Sequence, residues 1–275
     1  MLELYTQPPA GLIMPATAQL WTTLIYGVGA LLFVFLAIRL ALRERSVLPL
    51  LMILGAALTV YLEPVVDVLG NAVHPQMGQF NLLTTNGHPV PWAVLVGYLW
   101  YFAACPLLCY SMLKQRTLSQ RFVWGAFASV VGGAAVVEQI PLHFGVWVYY
   151  GEQLPKLGFM PIWWIFANAA AVLVPFILIY KLFPMLSGHR QWLLVPLMPS
   201  GAFMGHAAAG WPMYNLLGTD TTALPEIALY LGTLSTVALS LLMVWLLMVV
   251  TDIPFRSVLA GPAIQGRQPG TVRNR

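Results

Sequence analysis

Charge is what this chain has least of: only 8% of its 275 residues are Asp, Glu, Lys or Arg. Soluble domains carry about 25%, so a water-exposed globular surface is excluded. Cysteine is scarce as well. Cys105 and Cys109 stand four apart in one apolar run, where a bridge would be strained; they read as reduced packing residues, which excludes a disulfide-stapled scaffold. The histidines, His74, His88, His143, His189 and His206, are scattered and lack the clustering that membrane desaturases and hydroxylases need for iron. The last apolar run has no lysine for a retinal Schiff base, and neither Gly-x-Ser-x-Gly nor a phosphate loop occurs.

What the chain has instead is apolar length. Hydrophobic residues make up 59% and the mean hydropathy is +0.78, which predicts an all-α polytopic membrane protein. A bilayer crossing takes roughly 20 apolar residues, and seven segments supply them: 18–42, 47–70, 91–113, 122–141, 161–183, 192–214 and 225–250. They predict one seven-helix transmembrane domain over 1–250 and a basic, disordered cytoplasmic tail over 251–275. The first 17 residues hold Glu3 but no Lys or Arg, so the basic start of a secretory signal is missing and the first span is expected to be retained.

The few charges are sorted by side. Arg39, Arg43 and Arg45, then Lys114, Arg116 and Arg121, then Lys181 and Arg190, then Arg256, Arg267, Arg273 and Arg275 fall on alternate connections or in the tail, with only Lys156 opposite. Cytoplasmic loops collect these residues, which predicts an outside N-terminus and a cytoplasmic C-terminus. The pI of about 9.2 is therefore a topology signal and gives no support for nucleic-acid binding. Glu63, Asp67, Glu138, Glu152, Asp220 and Glu226 lie towards the other, outer side.

Within Tyr61-Leu-Glu-Pro-Val-Val-Asp-Val-Leu-Gly-Asn71, the residues Glu63, Asp67 and Asn71 are spaced by four, which predicts a single helix face. Two carboxyls so close cannot both ionise cheaply. An ionisable residue at membrane depth costs about 2.5–3.5 kcal/mol even on insertion scales, and so marks a proton, ion or substrate path. Glu138 and Gln139 on the fourth segment, Asn168 on the fifth, and His206 and Asn215 on the sixth complete the polar set. For Asn168 and Asn215 a helix–helix hydrogen bond is the plainer reading.

The even-numbered segments each run apolar and then meet a protonatable residue followed by proline: Glu63-Pro64, Glu138 with Pro141, and His206 ahead of Pro212. Each odd partner re-enters behind Pro91, Pro161 or Pro225, which suit first-turn positions. This spacing suggests three pseudo-repeated helix hairpins plus one extra helix. Pro64 falls a turn before its helix end, where freed carbonyls are tolerated only beside a protein-buried or watery cavity. The long outer connections, 71–90 and 143–160, could cap a pocket; equally, Trp147, Tyr149 and Tyr150 could be interface-belt aromatics.

Three chemistries fit the polar set. A carboxylic acid in an apolar pocket can protonate an alkene or epoxide, while aromatic faces stabilise the cation; Trp100, Trp147, Trp163, Trp164 and Trp211 stand near the polar positions. Carboxylates spaced by four can hold Mg²⁺ for a diphosphate, but that reading wants more acids and outer basic residues than Lys156 alone. The set can also be a proton or ion relay of a transporter, which inverted repeats would suit better than same-direction hairpins.

The stretch Phe144-Gly-Val-Trp-Val-Tyr-Tyr150 followed by Met160-Pro-Ile-Trp-Trp164 resembles the Gly-x-x-x-Tyr…Pro…Trp pattern of carotenoid hydratase-like proteins. With the hairpin plan, it is similar to the compact, cofactor-independent membrane cyclases and hydratases of terpenoid and carotenoid pathways, meroterpenoid cyclases included. The resemblance implies about seven spans and Glu63 as proton donor, with Glu138 or Asp67 as second acid. One departure stands out: the last segment has no acid in its core, only Glu226 at its start, which leaves the second acid open.

The expectation is therefore an enzyme that protonates an isoprenoid alkene or epoxide without cofactor or metal. Glu63 is its acid, Asp67 the partner, and Glu138 and His206 orient or relay protons. Asn71, Trp100, Trp147, Tyr149, Trp163, Trp164, Asn168, Trp211 and Asn215 shape the substrate pocket. Its partners are a lipophilic small molecule and membrane lipid. The alternatives are a proton- or cation-coupled transporter or ligand-binding seven-helix protein, and a scaffold whose buried acids only lock helices.

Overall fold

The computed structural model of the protein describes residues 6–256, so Glu3 and the tail residues Arg267, Arg273 and Arg275 lie outside the described residues. In chain order the helices are α1 (Ala16–Glu44), α2 (Leu48–Leu58), α3 (Glu63–Gly70), α4 (Trp92–Tyr101), α5 (Ala104–Leu108), α6 (Tyr110–Gln115), α7 (Gln120–Val137), α8 (Gln139–His143), α9 (Ile162–Leu182), α10 (Leu194–Leu217) and α11 (Glu226–Val250). Among the described residues five stretches are long and apolar enough to cross a membrane: Ala16–Glu44, Leu48–Gly70, Gln120–His143, Ile162–Met185 and Glu226–Val250. Trp92–Leu108 is a shorter apolar helix. The protein is thus a mostly helical one with helices suited to a membrane.

Local chemistry accounts for the helix ends. Pro91, Pro161 and Pro225 each occupy the residue just before α4, α9 and α11, where a missing N–H costs nothing. Ser119 caps α7 by accepting from the Phe122 N–H. The breaks matter more. A 3₁₀ turn over Thr59–Leu62 separates α2 from α3, and Glu63 opens α3 with Pro64 directly behind it. Glu138 sits at the equivalent junction of α7 and α8, ahead of Pro141. Both acids therefore stand where the helix ladder is interrupted.

The connections at one end are not plain loops. β1 (Ala72–Val73) pairs antiparallel with β4 (Val148–Tyr149), which ties the two long connections together. β2 (Asn81–Thr85) and β3 (His88–Pro91) form a hairpin through Asn86-Gly87, both at positive φ (53° and 74°), the geometry that Asn-Gly favours in a tight hairpin turn. β5 (Lys156–Leu157) pairs with β6 (Met160–Pro161). At the opposite end the basic residues gather: Lys114 Nζ meets Glu44 at 2.6 Å, Lys181 Nζ meets Asp252 at 2.9 Å, and the Arg116 guanidinium donates to the Tyr180 carbonyl. The chain stays packed into the predicted tail, since the Gln120 N–H donates to the Pro254 carbonyl at 2.9 Å.

α9 is buried around its whole circumference and is flanked by α7, α10 and α11. A helix therefore fills the centre of the bundle. α10 lies tight against it: a Cβ at Gly201 would press on Pro175 and one at Gly205 on the Ala170 carbonyl, the close backbone approach that small residues allow. With the centre filled, free space is displaced to one side, between α3, α4, α5, α7 and the α9–α10 pair.

Candidate active site

That space is a cavity of about 460 Å³, within the usual size of small-molecule sites. Its polar end is built by the break before α3. Glu63 is 14% exposed and Asp67, one turn on, is buried. The Tyr98 hydroxyl of α4 donates to Glu63 Oε2, and His74 Nε2 lies 3.2 Å from Glu63 Oε1 and 4.0 Å from Asp67 Oδ2. His74 is itself buried, in the strand-linked connection after α3.

The histidine ring is oriented from behind. His74 Nδ1 lies 3.3 Å from the Val146 carbonyl, which only accepts, so that nitrogen carries a hydrogen and Nε2 is the atom left to face the acids. Nε2 and Glu63 Oε1, 3.2 Å apart, are within hydrogen-bond reach of each other. Asp67 Oδ2 is buried and has no hydrogen-bond partner. A carboxylate oxygen left so is costly, and His74 Nε2 stands 4.0 Å from it. One ligand atom from each of Glu63, Asp67 and His74 also lies within 4.8 Å of the others, so this triad could hold a metal ion, with His74 a ligand that the sequence reading of the two carboxylates did not include.

Of the predicted site residues, Glu63, Asp67, Glu138, His206, Trp100, Trp147, Tyr149, Trp164 and Asn168 all line the cavity. Trp147 and Tyr149 are thereby pocket residues, whereas Tyr150 does not line the cavity. Trp147 packs beside His74 with ring centroids 5.9 Å apart, and Tyr149 beside Trp164 at 5.0 Å. Burial and nearby Glu138 hold the Tyr149 hydroxyl well above its usual range. His206 packs edge-on to Trp164 at 5.1 Å, bonds the Tyr214 hydroxyl through Nδ1 and leaves Nε2 unpartnered.

Four expectations are corrected. Asn71 is not on the face of Glu63 and Asp67: it adopts a left-handed conformation (φ 51°) that ends α3, so the four-residue spacing stops at Asp67. Its Nδ2 donates instead to the Leu217 carbonyl at 3.1 Å, fastening α3 to α10. Trp163 is fully buried but away from the cavity, donating from Nε1 to Gln153 Oε1 at 3.1 Å. Trp211 is 54% exposed on the outside of α10, and Asn215 only bonds the Trp211 carbonyl of its own helix. A helix presents about a third of its positions to one neighbour, and α10 presents His206 there and turns these two away.

His74 and Tyr98 were missed by sequence reasoning. Tyr98 had no signal beyond an aromatic run, but His74 had one. Gly70-Asn71 is a helix stop, and a histidine three residues past a stop can fold back over the turn that carries the acids. Gln153 was missed too. It is buried, and its Nε2 donates to the carbonyls of Gly70, Asn71 and Tyr150 at 3.0–3.1 Å, which pins the end of α3. Comparison of the chain with protein-family models, curated proteins and solved structures finds no match.

Proposed function

We propose that this is a seven-span membrane enzyme, N-terminus outside and C-terminus cytoplasmic, that protonates an isoprenoid alkene or epoxide as the terpenoid cyclases and hydratases it resembles do. The observation that carries the reading is the 3.2 Å contact of His74 Nε2 with Glu63 Oε1, held at one end of a cavity whose walls are mostly apolar and aromatic. Glu63 gives its proton to an alkene carbon or epoxide oxygen. In an alkene the π pair forms the new C–H bond and the neighbouring carbon becomes cationic; in an epoxide an oxygen lone pair takes the proton, the C–O bond breaks with its pair going to oxygen, and the carbon left behind becomes cationic. The faces of Trp100, Trp147 and Trp164 stabilise the cation, which closes a ring on a second alkene or is captured by water. The cyclised cation, or the water that captures it, then gives up a proton to Glu138 or His206 on the opposite walls; that proton returns through water to His74 and Asp67, which reprotonate Glu63, so none is consumed. No cofactor takes part in these steps.

The test is Glu63→Gln and Asp67→Asn assayed in vesicles on prenyl alkenes and epoxides. Loss of turnover by about 10²–10⁴-fold in Glu63→Gln is expected for removal of a general acid; unchanged turnover in both variants would sink the reading.

A second reading, a cation-coupled transporter or ligand-binding protein, is favoured by one observation. Ligand atoms of Glu63, Asp67 and His74 within 4.8 Å of one another suit a divalent cation. Metal analysis of purified protein, with His74→Ala as the control, separates the two. A stoichiometric ion lost with His74, together with uptake into vesicles and no chemical change, supports this second reading.

A further inference from the structure

The wall of the cavity formed by α7 is unlike the others. Phe122, Ala126, Ser129, Val130, Gly133 and Val137 all line it, at spacings that put them on one helix face. They run along about 22 Å of helix at 1.5 Å per residue. On a neighbouring stripe Val123 and Phe127 are buried and do not line the cavity, with Phe127 beside Phe166 of α9 at a ring separation of 6.1 Å. So α7 leans on α9 by one stripe and offers the next to the cavity.

That second stripe is also exposed. Phe122 is 37% and Val137 42% exposed, and Leu108 of α5, facing them across the cavity, is 67% exposed, although all three are cavity residues. Residues that line a cavity and also reach the outer surface mark its mouth. A Cβ at Gly133 would meet nothing within 4 Å, so there is room in it. The mouth lies along helices whose outer faces are apolar, so it opens on hydrocarbon.

The two ends differ in chemistry. Glu63, Asp67, His74 and Glu138 stand towards the strand-bearing end, whereas towards the basic end the walls are Leu108, Cys109, Phe122 and Ala126. Among the described residues no Lys or Arg lines the cavity, so a phosphate headgroup would meet carboxylates with no cation from them to balance it. A double-chained phospholipid and a prenyl diphosphate are both poorly suited.

We propose that the gap between α5 and α7 is a membrane-side entrance for a single-chain, uncharged isoprenoid lipid. The chain lies along α7 with its reactive end at Glu63. This rests on the reading of the protein as an isoprenoid enzyme and adds to it the substrate class and the route of entry.

The test uses the full chain in lipid vesicles, photolysed with a bilayer-dissolved diazirine analogue of geranylgeraniol and mapped by mass spectrometry. Attachment is expected at Tyr98 and Cys105 inside the cavity and is suppressed by excess geranylgeraniol. Leu31 and Leu32, exposed on the outer face of α1, serve as the internal standard and are labelled without suppression. Gly133→Trp, or the smaller Ser129→Leu should that variant not fold, is expected to cut interior labelling by about tenfold against the standard, the scale of a steric block. Gly132→Trp is expected to leave it unchanged, since Gly132 does not line the cavity.

Absent interior labelling, labelling indifferent to both blocking variants, or equal labelling by a water-soluble sulfonated diazirine would each overturn the entrance. Labelling needs no turnover, so the two claims fail separately. A protein that takes the chain but converts nothing refutes the catalytic reading alone, and a converting protein with an unlabelled interior refutes the entrance alone.

Discussion

Tyr98→Phe is the most discriminating small change at the site. Its hydroxyl donates to Glu63 Oε2 while its ring is held independently, edge-on to Phe102 at 4.8 Å and stacked on Tyr101 at 6.4 Å. The substitution thus removes one O–H and leaves the packing. A hydrogen bond to a charged group is worth about 1.5–3 kcal/mol, and each 1.36 kcal/mol of lost transition-state stabilisation is tenfold in rate. If Tyr98 positions Glu63 for proton transfer, turnover should fall by about 10- to 150-fold while substrate retention in vesicles changes little. The assay is initial rate in vesicles for wild type, Tyr98→Phe and Tyr101→Phe. Tyr101 also lines the cavity, but its hydroxyl has no hydrogen-bond partner, so its variant should keep most of its rate. A Tyr98→Phe rate within twofold of wild type would refute the view that this phenol clamps the acid.

His74→Ala removes the nitrogen that faces both acids and the bond to Val146 together; turnover should fall by about 10²–10⁴-fold, and rate measurement with and without added imidazole checks whether the lost ring is what matters. Asn71 holds φ 51° and bonds Leu217. Asn71→Gly should therefore lose the bond alone and Asn71→Val the conformation as well, so that thermal unfolding in detergent ranks wild type, Gly, Val in falling order while activity per folded molecule is kept. Burial, with nearby Asp67 second, pushes the Tyr150 hydroxyl up to about 12 from an unfolded value near 10. Its contribution to stability is present below pH 10 and lost as pH rises towards 12, and Tyr150→Phe should flatten that part of an unfolding-versus-pH curve.

The helices were legible because a hydrocarbon solvent imposes long apolar runs, and the predicted segments 18–42, 47–70 and 225–250 fall on helical stretches within a few residues. The breaks at Glu63 and Glu138 were legible from the prolines behind them. What was hidden depended on non-local geometry. Whether Trp163 or Trp164 faces the cavity is decided by how α9 turns against α10, since the two are adjacent in sequence. Asn71 fitted the four-residue spacing, but its own conformation ends the helix that the spacing assumed. His74 could be placed beside Glu63 only once β1 paired with β4 and set the path of the connection. The strands themselves were unforeseen, being two to five residues long in segments dominated by turns.

The central claim is that Glu63 delivers a proton to a membrane-dissolved isoprenoid. It is tested most directly by comparing isoprenoid lipid extracts from cells making wild-type protein with those from cells making equal amounts of folded Glu63→Gln. The account predicts a cyclised or hydrated product with the wild type and its unreacted precursor with Glu63→Gln. The same product at the same level in both would contradict it.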